Sequence, residues 1–162
     1  MTGMAGEEYP VIGLGCFFED LPLGRKFQTI GRTLFEADLV AFTTVTGMTE
    51  VLFTNTEFLR EESDIKQQVI PGAMVFTFIE GLLVQSTMQH TGFAFLGMDF
   101  KIEGPTFVGD TIHARCEVVE SRRSGSRPNR GLVRTRNEVF KQDGSLVLTY
   151  SPLRMVKART NG

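Results

Sequence analysis

Apolar residues recur along this chain with two different periods. From Phe93 onward they alternate with polar ones. Ala94, Leu96, Met98, Phe100 and Ile102 share one face of a stretch over 93–102. Ile112, Ala114, Cys116 and Val118 make a second such face within 111–120, with His113, Arg115 and Glu117 opposite. Val133, Thr135, Asn137 and Val139 make a third within 132–140, against Arg134, Arg136 and Glu138, and 147–156 alternates again. Period-two alternation predicts half-buried antiparallel strands. Gly109-Asp110 and Asp143-Gly144 read as turns between them. The polar loop 121–130 carries four arginines and is most simply a solvated turn, with capture of a ligand phosphate as the alternative.

Upstream the pattern changes. Residues 70–90 read IPGAMVFTFIEGLLVQSTMQH, apolar on nearly every side, with Thr77 and Glu80 interrupting the central run on a shared helical face. Pro71 suits a first helical position, where its missing N–H would have no partner anyway. A helix apolar almost all round must be wrapped by other structure or cross a membrane. This run falls short of the roughly 20 residues a span needs and holds Glu80 in its middle, so a buried central helix is predicted. Gly81 within it is costly unless something packs close. Residues 25–35 predict a first strand. Residues 36–45 place Ala37, Val40, Ala41 and Val45 at amphipathic helical spacing, and Thr46-Gly47 ends that helix. Residues 48–69 are irregular, with a short helical turn at 56–61; so long a loop is more often functional than not. Residues 1–10 are expected to be loosely held. One strand, one buried helix and four long strands describe a sheet curled around a helix.

Composition adds limits. At 162 residues, one domain with a real core is expected. A net charge of −2 gives no footprint for nucleic acid. The two cysteines, Cys16 and Cys116, form neither a disulfide framework nor zinc-ligand spacing and fit a reducing compartment. No secretory signal pattern is visible, so a cytoplasmic location is expected, with no membrane partner. No cofactor-binding glycine loop or metal cluster is present in the pattern.

Three segments carry a family resemblance. FFEDLPLGRKF, FKIEGPTFVGDTIHARCEV and the helix start IPGAM resemble the MaoC-like hydratases and dehydratases, in the same element order. The resemblance implies an α+β hotdog fold, an antiparallel sheet of about five strands wrapped around a long central helix. It covers 17–157 as a single domain, leaving 1–16 as an N-terminal extension and 158–162 as a tail. The family's chemistry is reversible hydration of a 2-enoyl thioester, usually of coenzyme A. Its working loop reads Ser-Gly-Asp-x-Asn-Pro-Leu-His, in which Asp and His activate one water. A glycine at the central helix start offers its N–H to the thioester oxygen.

Laid on this chain, the loop is Thr46-Gly47-Met48-Thr49-Glu50-Val51-Leu52-Phe53, with Asn55 where the family often has Asp. The Asp position holds Met48 and the His position Phe53, and neither exchanges a proton. At the helix start, where the family reads Ile-Val-His-Gly-Met, Pro71 stands for His and Gly72 is kept. The expectation is a protein that binds an acyl-CoA or related thioester through Gly72, Pro71, Met48 and Phe53, as the non-catalytic half of a heteromeric hydratase. Three alternatives stand beside it. Glu50 could serve as a relocated acid/base in an active lyase, its simpler reading being a loop cap. Glu80 could serve as a thioesterase carboxylate, its simpler reading being a partnered group at a subunit seam. The chain could also be an interaction protein without ligand. His90 and His113 read as structural. In the family two hotdogs pair side by side, so a homodimer, or a heterodimer with another hotdog chain, is expected.

Overall fold

The computed structural model describes residues 9–159. The expectation for 1–10 therefore falls mostly outside the described residues. A 3-10 turn (Phe18–Asp20) leads into β1 (Lys26–Gln28) and β2 (Arg32–Thr33). Helices α1 (Glu36–Thr46), α2 (Val51–Thr54), α3 (Thr56–Glu61) and α4 (Gly72–Leu83) follow. A π-helical turn (Val84–Met88) extends α4, and then come β3 (Gly92–Ile102), β4 (Thr111–Arg123), β5 (Arg130–Lys141) and β6 (Leu146–Lys157). The strands form one antiparallel six-stranded sheet in the order β1-β4-β5-β6-β3, with β2 also on β4. This is the hotdog arrangement. The sixth strand arises because the single strand expected over 25–35 is two, separated by residues 29–31.

The inner face of the sheet packs on α4. Ile112, Ala114, Cys116, Val139, Leu148 and Tyr150 meet Met74, Val75, Ile79 and Leu83 in one buried cluster. The period-two pattern placed Ile112, Ala114, Cys116 and Val139 correctly. Helix α1 starts where the Phe35 N–H donates to the Asp38 carboxylate at 3.0 Å, and it stops at Gly47, whose φ of 72° is left-handed. No described helix is long and apolar enough to cross a membrane.

Three features depart from expectation. Helix α4 is not wrapped all round: Ala73, Thr77, Gly81 and Val84 form an exposed stripe, and a side chain added at Gly81 would meet open space. Strand β3 breaks its alternation at two bulges, between Gly92 and Ala94 and between Phe95 and Gly97. Phe95 therefore lies opposite the inward-facing Arg154, Ala94 opposite Met155 leaves the face it was assigned, and Leu96 falls in the second bulge without a paired partner on β6; Met98, Phe100 and Ile102 keep the face. Finally, the packed structure runs past 17–157. Gly15 and Cys16 donate backbone hydrogen bonds to the Gln89 and Thr87 carbonyls, each at 2.8 Å, and Ala158 is buried.

Candidate functional site

The site is built where three segments converge on the start of α4. Pro71 is the N-cap residue, with ψ of 137°, and Met74 and Val75 N–H both bond to its carbonyl. Gly72 and Ala73 are the first residues of the helix, so their N–H groups have no intrahelical acceptor. They carry the positive end of the helix dipole. The segment before them is fixed by Ile70 N–H donating to Thr106 at 2.8 Å and Val108 N–H to Gln68 at 3.0 Å. Beside Gly72 lies a cavity of about 220 Å³, walled by Phe53, Pro71, Gly72, Val75, Ile102 and Leu148 among others. No carboxylate, imidazole, amine, guanidinium, thiol or phenol lies among its lining residues; Thr106 supplies the sole side-chain hydroxyl.

The loop between α1 and α3 supplies Phe53 to this cavity. Phe53 is half-buried and packs on the main core. Met48 and Glu50 are exposed and do not line the cavity. The Glu50 carboxylate accepts from Leu52 N–H at 2.7 Å, which makes it the N-cap of α2. Asn55 does the same for α3, accepting from Phe58 N–H at 3.0 Å.

Glu80 lies two turns further along α4, in a different environment. Arg154 Nη2 donates to its two oxygens at 2.6 and 2.7 Å, and Tyr150 Oη donates to Oε1 at 2.7 Å. Both partners come from β6 of the same chain, so Glu80 is a partnered carboxylate. Phe76 packs edge-on against Tyr150 and Phe100, and Arg154 lies 5.2 Å from the Phe95 ring centre. Burial, then the Glu80 charge, hold the Tyr150 phenol above its ordinary range. Burial also pushes the Cys116 thiol up to about 12. Loss of solvation, then Arg115, lower His113, which stacks on Phe140. Among the described residues no His, Cys, Asp and Glu cluster could hold a metal ion.

The MaoC like domain family matches residues 19–141. This chain belongs to that family. Among solved structures it resembles a MaoC-like dehydratase from Rhodospirillum rubrum, at 25% identity and a TM-score of 0.79 over 90% of this chain and 99% of that one. It also resembles a protein from Archaeoglobus fulgidus described as a monoamine oxidase regulatory protein, at 28% identity and a TM-score of 0.78 over 90% and 97%. The R-hydratase PhaJ1 of Pseudomonas aeruginosa shares the fold, at 22% identity and a TM-score of 0.73 over 88% and 86%. No curated protein matches the sequence.

In this MaoC-like chain the structure brings Phe53, Pro71 and Gly72 together in one cavity. It leaves Met48 and Glu50 on the loop surface beside it and puts Glu80 elsewhere. Sequence reasoning missed Ile102 and Leu148 as cavity walls. They come from β3 and β6, and no local spacing joins those strands to the helix start. It also missed Arg154 as the partner of Glu80. One signal was present: an arginine at an inward position of a strand demands a buried acid.

Proposed function

We infer that this MaoC-like protein binds the acyl group of a coenzyme A thioester, or a related thioester, without hydrating it, and that it serves as the ligand-shaping half of a paired hotdog assembly. The observation that carries this is the cavity at Gly72. It pairs unsatisfied N–H groups at a helix start, suited to a thioester oxygen, with walls that hold no proton-exchanging group. Hydration needs a general base and acid within hydrogen-bond reach of the water. Met48 and Phe53, where the family has that pair, supply neither.

The alternatives fit less well. Glu50 is engaged as a helix cap, and Glu80 is held by Arg154 and Tyr150. The open cavity counts against an interaction protein that has lost its ligand. Pairing is supported by two features of the single chain. β3 ends the sheet as a long unpaired edge, with Phe93, Phe95, Leu96, Met98, Phe100 and Ile102 between 38% and 49% exposed. The stripe of Ala73, Thr77 and Gly81 leaves room for a neighbouring helix. An edge of this length is a liability unless another chain covers it.

The experiment combines calorimetry with crotonyl-CoA and an absorbance assay for its hydration. Binding without turnover is the expected result. Turnover by the purified chain would replace this reading with an active lyase, and absence of binding, alone and with a catalytic hotdog partner, would remove it.

A further inference from the structure

We propose that Ile102 sets the size of acyl group this protein accepts, restricting it to short chains; the proposal rests on the thioester reading above. Gly72 has no side chain, and the space a Cβ would occupy is filled by the tip of Ile102: a Cβ there would overlap Cδ1 and lie 3.1 Å from Cγ1. The end of the Ile102 side chain therefore sits directly against the residue whose N–H is aimed at the thioester oxygen. An acyl chain whose carbonyl is held there must pass this methyl group.

Four of the other walls leave little freedom. Ile70, Val75, Val147 and Leu148 are at most 3% exposed and belong to the main core, where a volume change is resisted on all sides. Ile102 differs. It is the last residue of the edge strand and lies outside the buried core cluster, so its side chain can be shortened without opening a void in the core of this chain. The cavity it bounds, about 220 Å³, is smaller than the ~300 Å³ at which pockets for drug-sized ligands begin. That size suits an acyl chain of a few carbons. Phe53 caps the cavity from the loop side but packs on the core; Leu52, Val69 and Pro105 line it outside the core, and Ile102 is the wall whose tip fills the space beside Gly72.

The test is calorimetry of the full-length protein with a ladder of saturated acyl-CoAs from acetyl to decanoyl, on wild type, Ile102→Val and Ile102→Ala. Ile102→Val deletes the Cδ1 methyl alone, so it probes the contact with Gly72 and barely disturbs the strand. Wild-type affinity is expected to rise by roughly fourfold per methylene over the short chains and then fall. The turning point should move to longer chains in Ile102→Val, and further in Ile102→Ala. The same turning point in all three proteins would overturn the role of Ile102 while leaving thioester binding intact. A wild type that binds every chain equally would overturn it in the same way. A wild type that binds no acyl-CoA overturns both readings.

Discussion

Arg154 and Glu80 lie 74 residues apart in sequence, and one guanidinium nitrogen of Arg154 bonds to both Glu80 oxygens, at 2.6 and 2.7 Å. Their side chains are 10% and 15% exposed, so the pair ties α4 to β6 in a largely dry setting. Removing one member of such a pair strands the other. Glu80→Ala should therefore cost about 3 kcal/mol or more, read as a lower urea midpoint at fixed protein concentration. A double change to Glu80→Met and Arg154→Met should recover much of that loss. If Glu80→Ala were stable and instead lost a thioesterase activity, the carboxylate would be chemical rather than structural.

The exposed edge of β3 predicts assembly. Light scattering should show a dimer, or a multiple of it, down to micromolar concentration. Leu96→Lys puts a charge on that edge at a position 49% exposed, and should give a smaller species with unchanged helical and strand content. A wild-type monomer at micromolar concentration would mean that the edge is tolerated bare.

Glu50 should matter only locally. Glu50→Ala removes the acceptor for Leu52 N–H and should cost about 0.5–2 kcal/mol, the ordinary value of a lost cap. Crotonyl-CoA affinity should stay within twofold of wild type. A tenfold loss would return Glu50 to the binding site.

Cys116 is buried, and its thiol is pushed up to about 12 by burial. The thiolate is the reactive form, so at pH 8 the native protein should leave Cys116 unalkylated by iodoacetamide and label it on unfolding. Mass spectrometry of the peptides decides this. Rapid native labelling of Cys116 would require the β1–β4 edge to open.

The end of the described chain should loosen in acid. Arg159 grips Asp20 with two hydrogen bonds, at 2.7 and 2.9 Å, and this guanidinium holds the Asp20 carboxyl below its ordinary 3.8. A depressed carboxylate stabilises the fold above its unfolded pKa, and the contribution disappears as pH falls through the folded value. Exchange protection of the Arg159 amide, which donates to Glu19, should thus be retained at pH 5 and lost progressively below pH ~4. Protection unchanged at low pH would show that Ala158 alone anchors the segment.

Much of the fold was legible because it rests on local periods. The Gly47 stop, the 56–61 turn and the inward faces of β4 and β5 all follow from spacing within a few residues. The bulges of β3 did not, since alternation reads the same whether or not an extra residue shifts the face; the second bulge restores it for Met98, Phe100 and Ile102. The exposed stripe on α4 was hidden for a related reason: apolarity all round cannot say which side lacks a partner. At the site, the helix start and Phe53 could be placed from the resemblance. The wall made by Ile102 and Leu148, and the ion pair of Glu80, depend on contacts between residues at least thirty positions apart.

The pairing of β1 with β4 has a consequence in time. Lys26, Phe27 and Gln28 pair with Glu117, Cys116 and Arg115, partners made about 90 residues later. At a ribosomal pace of ~5–20 residues per second, the first strand waits roughly 5–20 seconds for its neighbour to be synthesised. Phe18 waits longer still, since its ring seats on Gly131 of β5. Throughout that interval Phe18 and Phe27 lack these partners, so the stretch that carries them is aggregation-prone until β4 and β5 are made.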